Sequence, residues 1–316
     1  MIAFLLQVAG VALAAGLGVS VIWPVVIRVA KRFTAARSAD SLVVAGALPI
    51  VVSAGLAVAL ILPTALDALG VFPDHCHAHA HGLHLCGVHG GVHAPLLALG
   101  ALLLGLFVVR GLVLATRLRR AHTDVRALQA LGVRTGKLVE VPGESPLCHA
   151  TGVLRPRVLL AAGLRARLGA PAVQAALAHE HAHLRRRDPA ALVFLQLASL
   201  FALPGSGIVA AFRGAADEAA DGEAAFEVGA VAVTDALVRM ARLLGERSAP
   251  LSTSALAFGA HALELRVVRL LAAPAAPAKA RGLALAGGIA LAGLLLAALG
   301  AEPIHHVVED LLHTHH

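Results

Sequence analysis

Four apolar stretches, at about residues 3–27, 42–65, 95–116 and 283–301, are each long enough to cross a bilayer as a helix, which takes roughly 20 residues. They point to a membrane protein, mainly α. Composition agrees, since 58% of the residues are hydrophobic and 14% charged, where a soluble domain has about 45–50% and about 25%. Mean hydropathy is +0.81. Trp23 is the only tryptophan and tyrosine is absent, so aromatic interface belts are nearly missing.

A pI near 10.5 would suit a nucleic-acid binder, but the positions of the charges argue otherwise. All 26 Lys and Arg fall between Arg28 and Arg37 or between Arg110 and Arg281. This is the positive-inside pattern of a multispanning protein, and it implies the lipid bilayer as partner and no direct nucleic acid. The first basic cluster (Arg28, Lys31, Arg32) follows the first apolar stretch, the reverse of a cleaved signal. The expected topology is therefore multi-pass in the inner (plasma) membrane, with both termini external and residues 117–281 cytoplasmic. Arg110, near the inner end of the third span, is expected to snorkel to the headgroups. The chain divides into three parts. Residues 1–116 carry three transmembrane helices and an external loop, 66–94. Residues 117–272 form a cytoplasmic domain, in which β-like runs at 137–141 and 157–160 precede Ala-rich helices. Residues 273–316 hold a linker, the fourth span and a short His-rich external tail.

The chemistry centres on Ala178-His179-Glu180-His181-Ala182-His183, in a helix expected to start after Pro171. His179 and His183 are four apart and so lie one above the other on one face. In an H-E-x-x-H arrangement the two imidazoles hold Zn²⁺ and Glu180 accepts a proton from the attacking water, whose pKa the metal lowers to about 7. His181 points elsewhere. A third ligand is expected from Asp217-Glu218-Ala219-Ala220-Asp221. Asp217 and Asp221 share a face at i, i+4, and Glu218 and Asp221 share another at i, i+3. One acid would complete the zinc shell and another would orient a ligand histidine. Register favours Asp217 over Glu218 as the ligand, with Asp221 behind it. An acidic solvated helix face is the blander reading.

These residues carry a resemblance. Ser145-Pro146-Leu147-Cys148-His149-Ala150-Thr151-Gly152-Val153-Leu154-Arg155-Pro156-Arg157-Val158, then Ala178 to Asp188, Asp217 to Asp221 and, more weakly, Leu263-Glu264-Leu265-Arg266-Val267, are similar to the BlaR/MecR-type integral membrane zinc metallopeptidases. The resemblance covers most of residues 117–270. It implies a cytoplasmic α+β, zincin-like (gluzincin-like) domain and a zinc metalloendopeptidase. It also implies regulated proteolysis of a cytoplasmic protein substrate, typically a transcriptional repressor, in transmembrane signalling. There are two departures. The family usually has Glu four residues before the final Asp, where this chain has Asp217 with Glu218 adjacent. Only a short tail follows the last span, so a penicillin-binding sensor domain and β-lactam sensing are not implied.

Residues 189–203 are also apolar. A crossing there would put His179 and His183 on one side of the membrane and Asp217 on the other, so a shallow helical hairpin or an interfacial helix is expected, broken at Pro204-Gly205-Ser206-Gly207. The external loop holds His75, His77, His79, His81, His84, His89 and His93 with Cys76 and Cys86. Its spacing suits a further transition metal, against a plain disulfide-closed or low-complexity loop. A non-catalytic metal-binding sensor or metal-handling protein built on this loop is the alternative function.

Overall fold

A computed structural model describes residues 2–71, 93–247, 253–272 and 279–313. The first apolar stretch forms α1 (Ile2–Ser20) and, after a turn at Val21 and Ile22, α2 (Trp23–Ala30). Pro24 sits in the first turn of α2, where a missing N–H leaves no helical bond unmade. Helices α3 (Ala35–Ala68) and α4 (Ala94–Leu131) follow, and α11 (Gly282–Leu299) comes after the other domain. Among the described residues four segments are long and apolar enough to cross a membrane: Ile2–Ala30, Ala35–Leu66, Ala94–Leu131 and Gly282–Leu299. Helices α1 and α4 meet backbone to backbone. A Cβ added at Gly100 would lie 1.9 Å from the carbonyl oxygen of Leu6, and one at Gly10 would lie 2.8 Å from Gly100 Cα, a close approach that only small residues allow.

The apolar stretches end before their helices do. Helix α4 has 38 residues, a length of about 57 Å, nearly twice the ~30 Å hydrocarbon core. Nothing from Ala94 to Leu131 breaks it, and the chain leaves helical geometry only at Gly132. The third candidate span therefore continues as a polar rod, and residue 117 marks a change of surface rather than a helix end.

That rod leads into a small sheet of β1 (Val133–Thr135), β2 (Leu138–Val141), β3 (Cys148–Thr151) and β4 (Arg157–Ala161). The strand order is β1-β2-β4-β3, with β2 and β4 parallel and the outer pairs antiparallel. The two runs expected from sequence are the buried central strands. The edge strands β1 and β3 are too short and too polar to show a period of two. Helices α5 (Ala162–Leu168), α6 (Ala170–Arg186), α8 (Ile208–Val228), α9 (Ala230–Arg247) and α10 (Thr253–Ala272) complete this domain. Val139, Leu160, Leu164, Ala178, Ala224 and Val233 meet in its core.

A second core ties the domain to the spans: Trp23, Leu42, Leu195, Ile208, Phe212 and Ala286 are buried together. Helix α8 belongs to both cores. Its buried Ile208, Phe212, Ala216 and Ala220 recur every fourth residue along one face. Asp217 and Asp221 stand one position beyond that stripe.

Residues 189–203 form α7 (Asp188–Ala198) and a 3-10 turn at Ser199–Phe201. Together with α8 they make a helical hairpin whose turn enters the bundle. The Leu203 N–H donates to Ser20 Oγ at 3.0 Å, and Phe201 packs edge-on to Phe107 with ring centroids 5.0 Å apart. Arg110, expected at the headgroups, is bound by the protein itself. Its guanidinium donates to the carbonyls of Ser199, Leu200 (3.3 Å) and Ala202 (2.9 Å). The Ser199 carbonyl also accepts the Ala202 N–H, whereas the last carbonyls of a helix otherwise lack a partner within it, and leaving such groups bare in an apolar setting is costly. A cation at a helix C-terminus also faces the favourable end of its dipole. We expect Arg110→Met, which keeps the length and removes the donors, to destabilise the purified protein by about 2 kcal/mol or more, with partial recovery in Arg110→Lys. Thermal unfolding in one detergent measures it, and an unchanged midpoint in Arg110→Met would discard this role.

Of the loop histidines, His93 precedes α4 as its N-cap residue. His75, His77, His79, His81, His84 and His89, with Cys76 and Cys86, lie outside the described residues. The tail begins as a helix, α12 (Ala301–His313), in which His305 is buried beside His306, ring centroids 6.0 Å apart.

Candidate metal centre

Helix α6 carries the H-E-x-x-H residues on an alanine-rich backbone with Pro171 in its first turn. Its register stacks the rings of His179 and His183 edge to face, centroids 4.7 Å apart. Their Nε2 atoms are 3.1 Å apart. From α8, Asp217 Oδ1 comes to 3.5 Å from His183 Nε2, and one donor atom from each of the three residues lies within 4.8 Å of the others. Donors bonded to one tetrahedral ion at ~2.0–2.1 Å would stand about 3.3 Å apart, so the set fits a small divalent cation. Glu218 turns away and pairs with Arg269 of α10. His181 is not among the converging donors.

The other ring nitrogens fix the orientation. His183 Nδ1 is hydrogen-bonded to Asp188 Oδ2 at 2.8 Å, and His179 Nδ1 lies 2.9 Å from Asp221 Oδ1, an ion-pair distance without hydrogen-bond alignment. A carboxylate on Nδ1 holds the proton there and leaves the Nε2 lone pair for a metal. Asp221 is in turn gripped by Arg266 of α10, through Nε at 2.6 Å and Nη2 at 2.8 Å. No role for Asp188 or Arg266 follows from helical spacing alone. Asp188 is five residues from His183, a spacing that helical periodicity does not bring together. Contact arises because Arg187 adopts the left-handed conformation (φ 58°) and its N–H closes on the carbonyls of His183 and Leu184. This αL cap turns the chain so that α7 starts with its first acid beside the end of α6.

Charge in the site is strongly biased. Burial alone would lower the pKa of His183. The hydrogen bonds to Asp188 and Asp217, with the fields of Asp188 and Glu180, outweigh it and push the group up to about 10. Burial likewise opposes ionisation of Asp217 and Asp221. The pairing of Asp217 with His183, and of Asp221 with His179 and Arg266, prevails and holds both below the usual carboxylate range. The metal-free site thus satisfies its carboxylates with a proton on His183. That proton stabilises the metal-free fold fully below the unfolded imidazole value, ~6.5, and the contribution is lost as pH rises through about 10. A divalent ion must displace it. Zinc titration near neutral pH should therefore release a proton, seen as a dependence of calorimetric heat on buffer ionisation enthalpy, and His183→Ala should abolish it. Heats that are independent of buffer would refute a protonated His183.

Glu180 is buried, and its Oε2 accepts the N–H of Ala150 on β3 at 2.6 Å. The H-E-x-x-H helix is thereby joined to an edge strand that has no further strand partner among the described residues. Cys148, also on β3, is a free thiol, and burial followed by the field of Glu180 raises its pKa, so it stays protonated.

No protein-family model, no curated protein and no solved structure matches the chain.

Proposed function

We propose that the protein is a membrane-embedded zinc metalloendopeptidase that cleaves a cytoplasmic protein, a transcriptional repressor being the kind of substrate that the BlaR/MecR resemblance suggests. The observation that carries this reading is the convergence of His179 Nε2, His183 Nε2 and Asp217, each imidazole backed by its own carboxylate. Two nitrogens and one oxygen suit zinc, and three protein ligands leave a position open, as catalytic rather than structural zinc sites do. Bound there, zinc would act as a Lewis acid on water and on the scissile carbonyl.

The remaining work falls to the chain's own groups. Glu180, next to the ligand His179 on α6, has one oxygen held by the Ala150 N–H. The other is left to take a proton from the attacking water and return it to the leaving amine. The outer edge of β3, apart from the Ala150 N–H held by Glu180, can pair with an extended peptide, which is how main-chain recognition without strict sequence demand is achieved. The biased distribution of Lys and Arg supports placing this domain on the cytoplasmic side. The α7–α8 hairpin supports a site close to the membrane surface. The test is to compare cytoplasmic peptides from cells expressing wild type and Glu180→Gln. Fragments that accumulate only with wild type identify the substrate, and identical fragment sets would count against the protease.

A further inference from the structure

Behind the metal centre a separate cavity of about 250 Å³ opens between the starts of two spans and the end of α6. Asp40 and Val43 of α3 and Gly282 and Leu283 of α11 form one wall, and Arg185, Arg186 and Arg187 form the other. Its size is below that of pockets for drug-sized ligands, ~300–1,000 Å³, and suits a compact charged group.

The charges in this cavity are unevenly committed. Asp40 accepts the backbone N–H groups of Arg281 and Gly282, with the shortest contact 2.9 Å, and so caps α11. Asp188 accepts from His183 at 2.8 Å. Arg185 is paired with Glu223 and Glu227. The two remaining arginines are less completely satisfied. Arg186 is 4% exposed, yet its Nε and Nη1 make no hydrogen bond. It forms ion pairs with Asp188 (3.4 Å) and Glu223 (4.0 Å), but neither is aligned as a hydrogen bond to Nε or Nη1. Arg187 is exposed and has no side-chain partner among the described residues. A buried guanidinium with unmet donors is costly. An oxyanion with several acceptor oxygens removes that cost, and a guanidinium fork matches phosphate geometry.

We propose that this cavity binds a phosphate-bearing anion, held by Arg186 and Arg187. Where the spans begin is also where phospholipid headgroups lie, and Val43, Phe212 and Leu283 line the cavity with apolar surface on which a glycerol backbone or the first carbons of an acyl chain would rest. An anionic phospholipid and free phosphate present the same chemistry to the arginines. The inference rests on the candidate spans and not on proteolysis.

The test uses the full chain. Lipid retained by the protein is measured by native mass spectrometry after reconstitution with phosphatidylcholine alone or mixed with phosphatidylglycerol, and inorganic phosphate is titrated calorimetrically in detergent. Wild type should retain phosphatidylglycerol selectively. Arg187→Gln should weaken that retention by about fivefold, the effect of one arginine near an anionic surface, and Arg186→Gln by more. Arg134→Gln, on β1 and outside the cavity, should change nothing. If phosphate binds the detergent-solubilised wild type, is lost in Arg187→Gln, and no lipid is selected, the anion is free phosphate. Failure to bind either probe overturns the proposal, as does undiminished binding in an Arg187→Gln protein that melts like wild type. Should Arg186→Gln fail to fold, Arg187→Gln decides alone.

Discussion

Glu180→Gln is expected to retain zinc and to lose proteolysis by about 10²–10⁴-fold, the usual contribution of a positioned general base. The amide keeps the size of the side chain and an oxygen that can still accept the Ala150 N–H now held at 2.6 Å. It cannot accept the proton of the attacking water. His179→Ala and His183→Ala should behave differently, losing metal and activity together, because each removes an Nε2 donor from the converging set. Metal content and turnover of a cleaved reporter peptide, measured on the same preparations, separate the two outcomes. Wild-type turnover in Glu180→Gln would eliminate the mechanism. Loss of metal in that variant would instead make Glu180 a structural anchor of β3.

The second large effect concerns the acids of α8. Asp217→Ala should cost zinc affinity well beyond the ~10–100-fold typical of losing a residue that merely orients a ligand, since its carboxylate is the third converging donor. Asp221→Ala should fall within that range, because it removes the support of His179 Nδ1 and frees Arg266. Glu218→Ala should bind zinc like wild type. Its partner Arg269 is largely exposed, and a pair of that kind contributes little in water. Competition against a chromophoric chelator ranks the three. Zinc bound normally by Asp217→Ala but lost from Glu218→Ala would reverse the assignment and require α8 to be rotated from the position described.

Features set by interactions local in the chain can be read before any tertiary contact is known. The length of an apolar run sets whether a helix can cross a bilayer, so all four candidate spans were legible, and the four-residue spacing of His179 and His183 puts both on one face whatever surrounds them. The central strands β2 and β4 were legible for the same reason, being short apolar runs between turns. The hairpin at 189–203 was legible in part, because a crossing there would have divided His179 and His183 from Asp217.

Tertiary structure decided the rest. Asp217 and Glu218 are neighbours about 100° apart on α8, and which one meets α6 depends on how the helix is rotated. Burial of Ile208, Phe212, Ala216 and Ala220 sets that rotation, through two cores that no local pattern displays. Asp188 reaches His183 only because a residue with no glycine-like freedom, Arg187, closes the helix in the left-handed region. Arg110 caps a helix end some 90 residues away in the chain. Such contacts are fixed by unmet polar groups meeting in an apolar interior, where each must find whichever partner the fold brings near.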